Sequence, residues 1–433
     1  MKKSILVLLV LTMSFITLFA FTVTDDEGRV LEFDKPFGKI ISLYGAHTEN
    51  VFHLGAGDAL IGVSTSEAFP AEVHSFKSYS YKDDAEKFIA ANPDLILIRP
   101  FITKKYGALI KKLENIGIKI VSFQPENYEE MKEYIEKLGL ILGKEKEAEE
   151  MVAEFETKLS EFEKTIDEIP ENERKNVYFE SVHKSFRTPA PGALATFVLE
   201  NAGTINIAHD AKPIRKGSTI ANFPKEKLLE RGAVIDFYIA QLGAMNKITM
   251  DKIINEGGFG AIKAIREGNV YIVDEKIMSR PTWRLLTGIE EIARIVYPAI
   301  FNKIEATENP LNKMRYAHIM VKFNKTQFFT PGYDVETVEK NDSVHTYGDY
   351  KDLNYENISA TYAETAAFNG MVEIKGENAF NADAKINYAT LKEYLKGYYS
   401  DKAEKIETIF NSLNPDEIPT ENEFVELLEK INK

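Results

Sequence analysis

Cysteine is absent from the sequence. That excludes disulfides, thiolate metal sites, iron–sulfur clusters and a lipidated N-terminal cysteine. Basic stripes are missing too: 53 Lys and Arg are outweighed by 67 Asp and Glu, giving a formal charge of −14 and an isoelectric point near 5.2. Nucleic acid is therefore not an expected partner, because phosphate recognition depends on clustered cations. The chain also lacks a GxSxG elbow, an HExxH helix and any clustered carboxylate–histidine set, so an exported hydrolase or metalloenzyme finds none of its usual signatures. The nearest approach to a metal motif is HTENVFH, residues 47–53. Its histidines stand six positions apart, which at roughly 100° per residue turns them to different sides of a helix. Paired zinc-binding histidines need i and i+4. Near the C-terminus, NSLNPDEIPTENEF lacks the Asp ladder and central glycine of a calcium loop and reads as an acidic connector.

What is present begins with MKKSILVLLVLTMSFITLFA, in which Lys2 and Lys3 precede an apolar stretch from Ile5 to Ala20. This is the form of an export signal. Leu18 is large for the −3 position of a cleavage site after Ala20, so the signal could also stay as an anchor; either way the chain is expected to be periplasmic or extracytoplasmic.

The remaining length suggests two or three domains. FTVTDDEGRVLEF reads as a hairpin. KIISLY (39–44), LILIRP (95–100) and IKIVSFQ (118–124) are apolar runs of strand length, alternating with helical segments near 48–55, 84–91, 105–116 and 128–142. That alternation implies a parallel α/β sheet, the first lobe, residues 22–143. From Lys144 to Ile169, Met151, Phe155, Leu159, Phe162 and Ile166 recur at spacings of three and four with no Gly or Pro, the pattern of one long amphipathic helix. NVYFESV (176–182), VIDFYIAQL (234–242) and NVYIVDE (269–275) then restart the α/β theme, giving a second lobe over 170–301. Two lobes joined by a helix make a cleft. Residues 302–433 differ in texture, with 23 acidic against 15 basic residues. They are expected to form a separate acidic domain, mixed α/β or mainly helical, in which YAHIMVKF and QFFTP lean towards strand and Thr420 with Glu423 makes a capping box.

KIISLYGAHTENVFHLGAGDALIGVS, AEKFIAANPDLILI, FPKEKLLERGAVIDFYIA, GGFGAIKAIREGNVYIVDE and SRPTWRLLTGIEEIARIVYP occur in that order over roughly residues 22–301. Together they resemble the landmarks of the periplasmic substrate-binding proteins of iron-chelate, haem and cobalamin ABC importers. The resemblance implies two α/β lobes bridged by a long helix and a non-enzymatic role: capture of a chelate in the cleft and its delivery to a membrane permease. It also implies one exposed glutamate per lobe that docks to the permease, here Glu86 and Glu226. The acidic domain is a departure from that pattern, as is the missing lipidated cysteine.

Ligands of open α/β sheets bind beyond the carboxyl ends of the strands. That rule gathers Tyr44 and His47, Arg99 and Phe101, Gln124, His183 with Arg187, Gln241 with Met245, and Arg280, Trp283 and Arg284, with Arg215 on a nearby loop. Thr48 is the expected cap of the first helix, leaving His47 at the strand edge as a ligand contact or metal ligand. Arginines and aromatics suit an anionic, flat or chelate-like ligand. A ferric siderophore is the first expectation, with cobalamin or haem next; no cofactor of the protein's own and a monomeric state are expected. The alternatives are an envelope structural protein that retains the scaffold, and an exported hydrolase.

Overall fold

The computed structural model describes residues 21–65, 67, 69–329, 350, 352–354, 357–373 and 379–433; the expected export signal, residues 1–20, lies outside them. The chain opens with an antiparallel hairpin of β1 (Phe21–Thr24) and β2 (Val30–Phe33). Its turn is organised by Asp25, whose carboxylate accepts from the amides of Glu27 and Arg29 and from that of Ser122, 97 positions away. The hairpin is thereby pinned to the first sheet.

That sheet is built from β3 (Ile40–Ser42), α1 (Gly45–His53), β4 (Leu60–Ser64), β5 (Ser78–Tyr79), α2 (Ala85–Ala91), β6 (Leu95–Ile98), α3 (Pro100–Asn115), β7 (Lys119–Ser122) and α4 (Tyr128–Leu142). Its order is β5-β4-β3-β6-β7, all pairs parallel. Leu95, Ile96, Leu97 and Ile98 are wholly buried, as a central strand covered by helices on both faces must be. Asn127 caps α4 through the Glu130 amide, and Gly143, at φ 66, ends it in a left-handed turn that favours glycine.

Helix α5 (Glu145–Asp167) follows as one unbroken run of 23 residues. Phe155 on its buried face stacks on Tyr128 of α4 at 5.4 Å, and Tyr128 stacks on Phe197 of the second lobe at 4.6 Å. The helix therefore fastens to both lobes.

The second lobe contains β8 (Asn176–Glu180), β9 (Arg187–Pro189), α6 (Leu194–Asn201), β10 (Ile205–Asn206), β11 (Lys212–Pro213), β12 (Ile220–Asn222), α7 (Lys225–Glu230), β13 (Phe237–Leu242), α8 (Met250–Ile254), α9 (Lys263–Glu267), β14 (Val270–Asp274), α10 (Glu275–Ser279), α11 (Leu285–Val296) and α12 (Pro298–Phe301). A parallel sheet runs β10-β8-β13-β14, beside an antiparallel β11-β12-β9. One apolar core passes from Leu138 and Phe155 to Val198 and Leu286, so the two lobes share it.

Beyond Phe301, α13 (Lys313–Phe323), α14 (Ile358–Phe368), α15 (Tyr388–Tyr398), α16 (Ala403–Phe410) and α17 (Glu421–Asn432) surround a core of their own, with Tyr316, Met320, Leu391 and Phe424. Among the described residues this part is helical. The Thr420–Glu423 capping box is present, but YAHIMVKF, expected to lean towards strand, lies in α13. Asn312 caps that helix by accepting from the Arg315 amide, and Tyr316, Ala317, Met320 and Val321 are buried. Only Gln327–Phe329 of QFFTP is described, and no strand is assigned there.

The third part is seated on α11. Glu291 accepts from the amide of Phe328 at 3.2 Å, and Arg294 donates to the Thr326 carbonyl at 2.7 Å while lying over the Phe328 ring. No helix among the described residues is long and apolar enough to cross a membrane.

Candidate functional site

The carboxyl ends of β3 and β6 bring Tyr44, Arg99 and Phe101 together on the rim of the first lobe. The Arg99 guanidinium lies 4.6 Å from the Tyr44 ring centroid and 5.6 Å from that of Phe101. No carboxylate is ion-paired to it among the described residues, leaving its hydrogen-bonding edge available. Burial raises the pKa of the Tyr44 hydroxyl, against the pull of Arg99 and Arg280, so the phenol stays neutral. Sequence reasoning missed three neighbours. Tyr81 meets Phe101 edge-on at 5.8 Å and Tyr106 at 4.9 Å, and the Lys105 ammonium sits 5.5 Å from the Phe101 ring. Lys105 and Tyr106 lie on α3, directly after Arg99 and Phe101, so the continuation of that strand end into a helix was the signal for them.

On the second lobe, β8 ends at Glu180, which is fully buried. Its carboxylate accepts from the Tyr238 hydroxyl, from Asn246 at 3.3 Å and from His183 Nδ1 at 2.8 Å. The His183 Nε2 lies 3.6 Å from Glu256. The hydrogen bond to Glu180 holds the imidazole pKa above its ordinary value against burial. His183 is thus oriented from beneath by a buried carboxylate. Arg187 is half-buried, with an Nε that has no hydrogen-bond partner. Met245 is 57 % exposed, and Arg215 is exposed on the β11–β12 loop. Gly217 of that loop packs so closely that a Cβ there would meet Glu126 Oε1 at 2.9 Å, which brings the loop against the segment after β7 that carries the half-buried Gln124.

Five of the expected contacts are placed otherwise. Tyr44, not Thr48, occupies the cap position of α1, so the helix begins at Gly45 and turns His47 inward. His47 is wholly buried, with Nδ1 2.8 Å from the Tyr134 hydroxyl and Nε2 2.8 Å from the Ile98 carbonyl. Both nitrogens are engaged, burial takes its pKa down to about 4, and neither ligand contact nor metal coordination is open to it. Gln241 is also buried, donating to the Ser181 carbonyl and accepting from Ser279. Arg284 grips Glu49 of α1 by two bonds, 2.9 and 2.6 Å, and Arg280 approaches the same carboxylate at 3.4 Å. Asn50 of α1 adds a bond to the Pro281 carbonyl at 2.8 Å. The SRPTWR segment therefore closes the second lobe onto the first instead of lining an open cleft. Trp283, 8 % exposed, packs near His53 with centroids 6.1 Å apart. Glu49, the hub of this clasp, was missed; its being the one carboxylate in α1 was its signal.

Glu86 and Glu226 occupy equivalent places, each in the first turn of a helix leading into a central strand, α2 into β6 and α7 into β13. Glu86 is 71 % exposed and pairs with Lys112 at 2.6 Å, which lowers its pKa. Glu226 is exposed with no ion pair among the described residues.

Two cavities, of about 220 and 380 Å³, lie outside the strand-end cleft, beside α1 with Thr282–Arg284 and beside α5 with α13. Strand topology rather than cavity size locates the ligand cleft here. Among the described residues no three His, Asp or Glu side chains converge as a metal site.

The family model described as "Periplasmic binding protein" matches residues 40–290. An uncharacterized ABC transporter substrate-binding lipoprotein of Bacillus subtilis (strain 168), YvrC, is 26 % identical over 291 residues, covering 66 % of this chain and 88 % of its own. A vitamin B12-binding protein of Vibrio campbellii (strain ATCC BAA-1116) is 27 % identical over 267 residues, covering 59 % and 88 %. Among solved structures, a possible iron-binding (periplasmic solute-binding) protein from Staphylococcus epidermidis ATCC 12228 aligns with a TM-score of 0.53 at 26 % identity, covering 61 % of this chain and 100 % of that one.

Proposed function

Since this chain belongs to the periplasmic binding protein family, we propose that it captures an anionic metal chelate between its two lobes outside the cytoplasm and delivers it to an ABC importer. A ferric siderophore is the first candidate, ahead of cobalamin or haem. The observation that carries the reading is Arg99, laid over Tyr44 and beside Phe101 with no carboxylate partner among the described residues. A guanidinium held flat by aromatic rings, with its edge free, suits a planar anionic oxygen donor set. Lys105, Arg187 and Arg215 add positive charge around the same cleft, and Tyr81 and Tyr106 add stacking area. Four cations favour an anionic chelate over the largely amide-decorated surface of cobalamin.

His183 stands just past the end of β8 in the second lobe. Its Nδ1 is committed to Glu180 and its Nε2 is directed at Glu256. With both ring nitrogens turned to carboxylates, we assign it to holding the second-lobe rim in place rather than to a direct bond with the chelate.

Delivery follows from the same frame. The α5 aromatic stack and the Glu49–Arg284 clasp restrict the lobes, so a small hinge rotation is expected on binding. Exposed Glu86 and Glu226, one per lobe, would read the spacing of the lobes against cations of the permease.

A thermal-shift screen of residues 21–433 with ferric siderophores, haem, cobalamin and bare metal ions tests the reading. A ligand at 100-fold over its Kd stabilises by about 2.7 kcal/mol, a clear shift. Stabilisation by one chelate and not by bare metal identifies the cargo. A folded sample that shifts with none of them removes the proposal.

A further inference from the structure

The larger cavity lies behind the cleft, where α5, α11, the segment after α12 and α13 meet. Its volume, about 380 Å³, falls inside the range of roughly 300–1,000 Å³ typical of small-molecule sites. Phe162, Leu286, Phe301, Ile304, Ile319 and Ile358 supply an apolar wall, and polar and charged side chains make up the rest of the lining. Lys158 is held by Glu161 at 2.8 Å and Arg315 by Glu421 at 2.9 Å, whereas Lys303 and Lys322 have no ion-paired carboxylate among the described residues.

Lys322 is half-buried, its ammonium 5.9 Å from the Tyr362 ring centroid. Beside it His318 stacks on Tyr362 at 4.1 Å, and its Nε2 is buried without a hydrogen-bond partner. Burial, together with Arg315, Lys322 and Arg294 nearby, keeps that imidazole neutral, with a pKa of about 3. Three cations thus stand near His318, while Glu290 and Glu305 act on the neighbouring Lys322 and favour its charge. Of the carboxylates on the lining, Glu161 is taken by Lys158 and Glu290 accepts from the Tyr362 hydroxyl, and Glu305 is exposed. Lys322 therefore has the charges of Glu290 and Glu305 nearby but no ion pair of its own among the described residues, and His318 Nε2 has no hydrogen-bond partner, so both groups retain capacity for a further anionic oxygen.

We propose that this cavity binds an amphipathic carboxylate, its head group at Lys322, His318 and Lys303 and its apolar body against Phe162, Phe301 and Ile319. The site needs the connecting helix and the third domain together, so an occupant would tie one to the other. It is separate from the cleft and does not depend on the identity of the chelate.

Trp283 is the chain's only tryptophan and lines this cavity, so its fluorescence reports occupancy. Decanoate, kept below its micellar concentration, is titrated into residues 21–433 while Trp283 emission is followed. A saturable change is expected, at least about ten-fold weaker with decanol and at least about ten-fold weaker in Lys322→Gln, since a charge-assisted bond is lost in each case. Trp283 also borders the smaller cavity, and the lysine variant separates the two. Should Lys322→Gln fail to fold, the exposed Lys303→Gln replaces it, with several-fold weaker binding expected. Equal affinity for decanoate and decanol overturns the anionic assignment. No saturable change, or decanoate binding unaltered in a folded lysine variant, overturns the site.

Discussion

At the scale of single residues, the cleft and the clasp make opposite predictions for their arginines. Arg99 has aromatic neighbours but no carboxylate partner among the described residues, so Arg99→Ala is expected to weaken chelate binding by about 10- to 100-fold, the worth of a charge-assisted contact, with an unchanged melting temperature. Isothermal titration with a parallel melt distinguishes the two effects. Glu49 is the reverse case. Glu49→Gln breaks the buried pair that Arg284 makes through two bonds and Arg280 approaches, which costs about 3–5 kcal/mol, read as a lower urea midpoint. His47 gives a pH signature. Its folded pKa near 4 lies below the unfolded 6.5, so its contribution is complete above pH 6.5 and is lost as pH falls towards 4, by about 3 kcal/mol in all. Glu67, pushed up to about 7 by burial, works against this, its share being lost as pH rises from 4.5 to 7. The comparison of wild type with His47→Gln isolates the histidine: the variant should lose less stability between pH 7 and 5. The strand-end rule reaches Tyr44, Arg99, Phe101 and His183, each just past the end of a strand, because strand direction alone decides that, whereas Arg187 opens β9. It misjudged His47, Gln241 and Arg284, because whether a residue just past a strand turns outward or inward depends on where the next helix starts and on what that helix meets.

Elements were legible in proportion to how much of their signal is local. Helix α5 shows an uninterrupted 3.6-residue period and α4 a cap at each end, and both run nearly as their patterns indicate. β6 and β13 are apolar runs long enough to read alone. The two-residue β5 and β10 and the edge pairs β9, β11 and β12 are not, since their pairing is fixed by neighbours distant in sequence. YAHIMVKF within α13 is apolar at six of its eight positions, a pattern that fits strand and helix alike; Asn312 was the deciding signal. At this scale the docking prediction belongs to α2 and α7. Charge reversal at both Glu86 and Glu226 is expected to leave chelate affinity unchanged and to abolish uptake by the reconstituted importer, since a like-charge contact replaces an attractive one. Unaltered uptake would remove these helices from the permease interface.

For the whole molecule, the third domain matters through α11. Ending the chain after Phe301 removes the Phe328 amide and Thr326 carbonyl that satisfy Glu291 and Arg294, leaving a buried ion pair and an apolar helix face uncovered. The shortened protein is expected to unfold at lower urea and to aggregate, and Glu291→Ala with Arg294→Leu is expected to recover part of the loss. Full stability of the shortened chain would make the third domain an appendage. The lobes themselves are held by a different closure. Glu49 and Arg284 stand 235 positions apart, so a chain emerging N-terminus first cannot complete its opening lobe until nearly all of the other has followed. Contacts of such sequence separation slow folding. One concerted, late collapse, rather than folding lobe by lobe, would keep the polypeptide unfolded for longer during synthesis, the state that the export signal expected at residues 1–20 calls for.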